Sequence, residues 1–129
     1  MVLHKYRVVL AIIVLGLVIM GGCAQKESAW SDGTYRARTD PDSHNWYAQN
    51  EITITDGRIT EVKYQEINAE SGQPKGDDYR YPQAIEAQRT LEKQLLDTQD
   101  PDKVDIVSGA TQPSQRFKET AKEALKQAK

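Results

Sequence analysis

Cysteine and histidine are scarce in this 129-residue sequence, and their scarcity excludes several kinds of site. A single cysteine, Cys23, cannot form an intrachain disulfide, so the fold has to rely on a hydrophobic core. Of the two histidines, His4 lies in the N-terminal segment before the apolar run, and His44 alone cannot build a zinc site. Two pairs of acids in loop-like segments, Asp40 with Asp42 and Asp77 with Asp78, are the alternative as cation ligands. Clustered loop acids are more often solvated turn residues, so no metal site is predicted.

The chain has one long apolar run, and it lies at the N-terminus. Residues 1–7 hold two basic residues and no acid, and residues 8–20 are apolar, a run shorter than the roughly 20 residues that span a membrane. The Ile-Met-Gly-Gly-Cys segment that ends at Cys23 resembles a lipobox, whose cysteine accepts a diacylglyceryl group. The sequence therefore predicts a lipoprotein signal peptide over residues 1–22. The alternative is an uncleaved signal anchor with an incidental cysteine.

An excess of basic residues is also absent. The signal peptide holds two of the 17 basic residues and none of the 19 acids, so the mature chain has a net charge of −4. This charge argues against a nucleic-acid partner, and attachment to the membrane then depends on the acyl chains of Cys23. Residues 23–31 are interpreted as the lipidated cysteine and a polar linker. Residues 32–129 are interpreted as one domain at the outer face of the cytoplasmic membrane.

Alternation of apolar and polar residues predicts a small antiparallel sheet. An Asp56-Gly57 pair between two alternating segments is a strong signal for a β-hairpin. Ile59 is out of step with the residues that follow it, which predicts a β-bulge near Thr60 or Glu61. The strands are expected at residues 34–38, 51–55 and 58–67, with residues 39–50 and 68–78 as loops.

Two later segments have helical periodicity. The first runs from Tyr79 to about Thr98, with Pro82 in its first turn. The second runs from Pro113 to Lys129, and a short strand is expected at residues 104–107 between them. The predicted architecture is α+β: a small antiparallel sheet with a hairpin, packed against two helices in a single domain.

The segment most informative about function is Ser108-Gly109-Ala110-Thr111, directly before the last helix. Thr111 is the expected N-cap, and small residues at a helix start leave backbone N–H groups open. Because the helix dipole places positive potential there, such a site favours a phosphate group. The alternative is a capped helix without a ligand.

Several motifs, in this order, resemble the FMN-binding domain family of extracytoplasmic electron-transfer proteins, which includes flavin-carrying subunits of the Rnf and sodium-pumping NADH:quinone oxidoreductase complexes. The resemblance extends from Asp32 to the C-terminus, and residues 64–79 resemble a lipoprotein subgroup described as membrane immunogens. The motifs that carry it are Asp32-Gly33-Thr34-Tyr35, Asp56-Gly57-Arg58-Ile59, Ser108-Gly109-Ala110-Thr111, and Tyr64-Gln65-Glu66-Ile67-Asn68 followed by Lys75, Asp77, Asp78 and Tyr79.

The resemblance implies a cofactor site in the Ser-Gly-Ala-Thr segment. In that family a flavin transferase joins FMN to the threonine through a phosphoester, at a pattern matched here by Asp105, Ser108, Gly109, Ala110 and Thr111. Ser114 is expected to add a hydroxyl near the phosphate. Pro113 departs from the family pattern and removes one N–H donor.

The flavin ring is expected to have an aromatic neighbour, with Trp46 as the principal candidate and Tyr47, Tyr79 and Tyr81 as others. His44 is expected to face solvent. The resemblance thus implies an electron carrier, not an enzyme with its own substrate, between a membrane donor and an external acceptor. Alternatives are a surface lipoprotein or antigen that binds a partner and has lost flavin, and a sensor domain that uses free FMN.

Overall fold

The computed structural model describes residues 29–129. The predicted signal peptide and the lipid-carrying Cys23 lie outside the described residues. Within the described part, neither helix is both long and apolar enough to span a bilayer.

A three-stranded antiparallel sheet with strand order β1-β2-β3 forms one layer of the described domain. Its strands are β1 (Gly33–Arg38), β2 (Trp46–Thr55) and β3 (Arg58–Asn68). Asp56 and Gly57 both have positive φ, +52° and +73°, which matches the twist of a two-residue hairpin. The Asp32 carboxylate accepts hydrogen bonds from both turn amides, at 3.0 and 2.9 Å. The predicted hairpin is confirmed. Asp32, directly before β1, is hydrogen-bonded to the turn between β2 and β3.

The predicted β-bulge is also confirmed. Thr53 pairs with Glu61 and Ile54 pairs with Ile59, so Thr60 is the extra residue on β3. The extra residue shifts the side-chain alternation by one position. Ile59 is therefore buried like Val62 and the later inward-facing residues of β3.

The prediction of a loop over residues 39–50 is wrong at its end, because β2 begins at Trp46. Ala48 and Asn50 are both fully buried, and they extend the inward-facing row of Ile52 and Ile54. The sequence does not reveal this alternation, because its inward positions are occupied by a small residue, Ala48, and an amide, Asn50. The Asn50 Nδ2 donates to the Phe117 carbonyl at 3.4 Å, whereas the buried Oδ1 has no hydrogen-bond partner among the described residues.

Two helices in the described chain cover the sheet. They are α1 (Pro82–Thr98) and α2 (Thr111–Lys126), with a 3₁₀ turn at Pro101–Lys103 between them. Helix α1 packs mainly on β3, and α2 packs on β2 and β1. The buried core between the sheet and the helices contains Ala48, Ile52, Ile54, Ile59, Val62, Tyr64, Leu91, Leu95, Val104, Phe117, Ala121, Ala124 and Leu125. The predicted α+β architecture is confirmed.

The short strand expected at residues 104–107 does not form, and this prediction is wrong. Side chains satisfy the backbone there instead of a neighbouring strand. The Gln94 amide brackets Asp105: Oε1 accepts from the Asp105 N–H at 2.7 Å, and Nε2 donates to its carbonyl at 3.3 Å. Val104 is buried in the core, whereas Ile106 is 45% exposed. The apolar stretch is therefore an irregular connection that leads into α2.

Candidate functional site

The Ser-Gly-Ala-Thr segment, residues 108–111, forms a tight turn at the start of α2. The Ala110 N–H donates to the Val107 carbonyl at 3.0 Å, which closes the turn. Gly109 has a φ of +78°, in the left-handed region that favours glycine. No heavy atom lies within 4 Å of the position that a Cβ on Gly109 would occupy. The turn is thus accessible on the glycine side.

Ser114 holds the backbone of this turn from inside the domain, whereas the sequence predicts that it adds a hydroxyl near the phosphate. Its side chain is fully buried. The hydroxyl donates to the Ala110 carbonyl at 2.6 Å and accepts from the Val107 N–H at 3.0 Å. The expectation of a free hydroxyl that contacts a ligand is therefore corrected: Ser114 fixes the backbone of the segment.

Thr111 is the first residue of α2, and Ala110 occupies the N-cap, so the prediction of Thr111 as N-cap is wrong. The Thr111 side chain is exposed. The amides of Thr111 and Gln112 lie in the first turn, where a helix offers no carbonyl to accept them. Pro113 has no N–H, and the Ser114 N–H already bonds to the Ala110 carbonyl at 3.0 Å. Two backbone donors and the helix dipole are thus available beside an exposed hydroxyl.

A groove of about 370 Å³ lies between this turn and the start of α1. Its lining residues are Tyr81, Gln83, Ala84, Ser108, Gly109, Ala110 and Pro113. Tyr81 is 56% exposed, which is unusual for so large an aromatic ring. The volume is near the lower end of the roughly 300–1,000 Å³ typical of ligand pockets. The groove offers an aromatic ring on one side and small residues on the other.

Three aromatic rings form a row that ends at this groove. The Tyr81 and Tyr79 rings are 5.8 Å apart between centroids, and Tyr79 and Trp46 are 6.1 Å apart, both edge to face. Trp46, the principal candidate for a ring beside the flavin, does not itself line the groove. Tyr47 lies elsewhere, under the Arg38 guanidinium at 5.5 Å. Tyr81 is the aromatic residue that the fold places beside the Ser-Gly-Ala-Thr segment.

A partly buried ionic cluster, consisting of Asp42, Glu66, Lys75 and Arg116, lies next to this row. Glu66 is almost fully buried and bonds to Lys75 at 2.5 Å, with Arg116 at 3.7 Å. Arg116 also bonds to Asp42 at 2.8 Å. The Lys75 ammonium lies 4.9 Å from the centre of the Trp46 ring. Sequence reasoning missed this cluster, although Glu66 stands at an inward position of the β3 alternation, where a charge needs a partner.

The cluster and a buried tyrosine fix the N-terminal part of α2. Burial of Asp42 would raise its pKa, but hydrogen bonds from Arg116 and from the amides of Trp46 and His44 outweigh that effect and lower the pKa to about 2. Burial, and then the negative charge of Glu66, raise the pKa of Tyr64 well above its ordinary value. The neutral hydroxyl of Tyr64 donates to the Pro113 carbonyl at 3.2 Å.

The other residues selected from the sequence lie near the segment or at the surface. Asp105 is exposed and is held through its backbone by Gln94. Ser108 is exposed and lines the groove. His44 is exposed, as expected, with its ring nitrogen 3.3 Å from the Ser43 hydroxyl.

A model of the FMN-binding domain family matches residues 48–126. The chain belongs to this family. The match ends at the last residue of α2 and includes the groove and the Ser-Gly-Ala-Thr segment. The resemblance inferred from the motifs is confirmed.

The chain is also similar to individual proteins over most of its length. The 15 kDa lipoprotein of Treponema pallidum (strain Nichols) is 32% identical over 122 residues, which cover 87% of this chain and 84% of the relative. A crystal structure of a Clostridium perfringens protein is 35% identical with a TM-score of 0.68, covering 77% of this chain and 88% of that one. A solution NMR structure from Clostridium thermocellum is 26% identical with a TM-score of 0.56, covering 75% and 91%.

The residues at the start of α2 fit a flavin phosphate. A phosphate monoester needs N–H donors and positive potential, which the first turn of α2 supplies. The open space above Gly109 allows a bulky group to approach the backbone closely. Tyr81 offers a flat, exposed surface for an aromatic ring system.

Proposed function

We propose that the protein is a membrane-anchored extracytoplasmic FMN-binding lipoprotein that carries electrons, with FMN joined to Thr111 through a phosphoester. The observation that carries this proposal is the exposed threonine at the first position of α2, beside two unpaired helical amides and an open glycine turn. A transferase needs this hydroxyl to be accessible, and the ester needs its charge stabilised where it forms.

The chain's own residues position and stabilise the cofactor. The amides of Thr111 and Gln112 would donate to the phosphate, and Gly109 would leave room for it. Tyr81 and the other residues of the groove would hold the ring system. Bound FMN supplies the one- and two-electron redox chemistry, so the protein needs no substrate pocket or catalytic acid of its own.

Maturation and electron exchange both require partners. A flavin transferase would recognise Asp105, Ser108, Gly109, Ala110 and Thr111, of which all but Ala110 are exposed. Gln94 and Ser114 hold the backbone of this segment. Electrons would come from a membrane donor and pass to an external acceptor. Acylated Cys23 would hold the domain at the outer face of the cytoplasmic membrane, in keeping with the name of the Treponema relative.

Coexpression of the full chain with a flavin transferase tests the covalent site. We expect a fluorescent band on a denaturing gel and an FMN adduct in the intact mass. Thr111→Ala should abolish both. The matched control is Thr90→Ala, which removes an exposed threonine from α1 and should leave the fluorescence unchanged. A fluorescent band that survives Thr111→Ala, or unmodified wild-type protein, contradicts the proposal.

A flavin-free surface lipoprotein of the same fold is the second candidate, and Pro113 is the observation that favours it. Proline at the third position of α2 removes one of the donors that a phosphate could use. Protein purified from its natural host distinguishes the two. A colourless protein with unmodified Thr111 and no affinity for added FMN supports the second candidate.

A further inference from the structure

The domain has two distant ends, which we name the Trp30 end and the Thr111 end. At the Trp30 end, the Ser31 N–H donates to the Ala128 carbonyl at 2.7 Å, just beyond the C-terminus of α2. Thr111 starts the same 16-residue helix, and a helix of this length spans about 24 Å. Trp46 belongs to the Thr111 end, because it begins β2 while Ile54, near the other end of that strand, pairs with Gly33.

A shallow cavity of about 320 Å³ opens at the Trp30 end. Trp30, Pro101 and Leu125 supply apolar lining, and the charged residues of the lining are three lysines and two aspartates: Lys122, Lys126, Lys129, Asp100 and Asp102. Tryptophan and lysine side chains suit the interface between water and lipid, because each combines an apolar body or stem with a polar tip. The side chains of Lys122 and Lys126 are 47% and 66% exposed, so their ammonium groups can reach outward.

The length of chain before this cavity restricts what can cover it. Ala29 lines the cavity, and six peptide units separate it from Cys23. Six units span at most about 21 Å, whatever path they take. A lipid on Cys23 would therefore keep the Trp30 end close to the bilayer surface, at a high effective concentration.

We propose that the Trp30 end rests against the phospholipid headgroups, so that the Thr111 end faces away from the membrane. This orientation rests on the lipid anchor of the proposed function but does not require flavin. Lys122 and Lys126 are paired with Asp102 and Glu123, both at 2.6 Å, so net charge contributes little to the contact. The Trp30 ring is partly buried against the core, so the contact is driven mainly by the tether, together with burial of the part of the ring that is still accessible. The groove then meets partners from the aqueous side, so a membrane donor would reach it through an extracytoplasmic protein domain and not as a quinone dissolved in the bilayer.

The two tryptophans of the chain, Trp30 and Trp46, report on opposite ends and make the orientation measurable. The mature lipidated protein, made without a flavin transferase, is reconstituted into phosphatidylcholine and phosphatidylglycerol vesicles that carry nitroxide-labelled headgroups. In Trp46→Phe protein, we expect the nitroxide to remove much of the Trp30 fluorescence. In Trp30→Phe protein, the matched control, we expect Trp46 fluorescence to be nearly unchanged. Circular dichroism confirms that each variant is folded.

Equal quenching of the two tryptophans, or stronger quenching of Trp46, would overturn the orientation. Unquenched Trp30 fluorescence would also overturn it, because residues 24–28 or a second copy of the chain would then cover the cavity. The intact mass of the same sample separates this failure from that of the anchor. A chain without lipid on Cys23 overturns both, whereas a lipidated chain with unquenched Trp30 overturns the orientation alone.

Discussion

Single residues decide the conformation of the Ser-Gly-Ala-Thr segment. Gly109 provides the left-handed backbone of the turn, at a φ of +78°. Ser114 holds the turn from inside the domain by bonding to two backbone groups, on Val107 and Ala110. Thr111 is left exposed by this arrangement. The accessible hydroxyl therefore depends on a buried hydroxyl three residues later in the chain.

Ser114→Ala should destabilise the domain and loosen the segment. The variant leaves the Val107 N–H without its acceptor in a partly buried position, and an unsatisfied buried group costs about 1–3 kcal/mol. Urea unfolding measures the loss, and we expect a lower midpoint with an unchanged slope. The control is Ser43→Ala, in an exposed loop, which should have little effect. Equal midpoints for the two variants would contradict the structural role of Ser114.

Asp42 should make the domain sensitive to acid. Its pKa is lowered to about 2 in the folded state from an ordinary 3.8, so its ionised form stabilises the fold above pH 3.8. This contribution is lost as the pH falls from about 4 toward 2, since the folded carboxylate must then be protonated. We expect the free energy of unfolding to fall by about 1 kcal/mol in this range, allowing for partial exposure. Asp42→Asn should lower stability at pH 7 and flatten this part of the pH profile, whereas an unaltered profile would contradict this assignment.

At the scale of elements, the sequence predicts what repeats locally and misses what depends on distant neighbours. The hairpin, the bulge at Thr60 and both helices follow from local pattern and turn chemistry. The early start of β2 does not follow from local pattern. Asn50 faces inward although it is polar, and its hydrogen bond to a carbonyl of α2 depends on the tertiary fold. The irregular connection at residues 104–107 depends on Gln94 of α1. Likewise, the motif predicts Thr111, whereas the sequence leaves Tyr81 as one of four candidate rings, and only the packing of α1 places it beside the segment.

Gln94→Ala tests whether a side chain replaces the missing strand partner of that connection. We expect faster hydrogen exchange at the amide of Asp105, because its acceptor at 2.7 Å is lost. The stability cost should be about 1 kcal/mol, since Asp105 is exposed and water can replace the bond in part. Thr90→Ala on the same helix is the control. Unchanged hydrogen exchange at the Asp105 amide would show that the two hydrogen bonds from Gln94 do not hold residues 104–107 in place.

For the whole molecule, the ionic cluster joins parts of the chain that are far apart in sequence. Asp42 precedes β2, Glu66 lies on β3, Lys75 lies in the following loop and Arg116 lies on α2. Together they hold the Thr111 end of the domain. The sheet, the loops at residues 39–45 and 69–81, and the start of α2 meet there. At the Trp30 end, the corresponding contacts are an exposed ion pair between Lys122 and Asp102 and hydrogen bonds such as that from Gln127 Nε2 to the Arg36 carbonyl at 2.8 Å.

Arg116→Met should therefore destabilise the domain far more than Arg36→Met. Arg116 is 20% exposed and serves both Asp42 and buried Glu66, so its removal leaves carboxylates partly buried without their partner. We expect a cost of about 2–4 kcal/mol. Arg36 pairs with Glu51 on the surface, with 63% of its side chain exposed, and pairs of this kind contribute about 0–1 kcal/mol. Urea unfolding at pH 7 compares the two variants. Similar losses would mean that Lys75 alone neutralises Glu66, and that the N-terminal part of α2 is held by Tyr64 and Ser114 without the cluster.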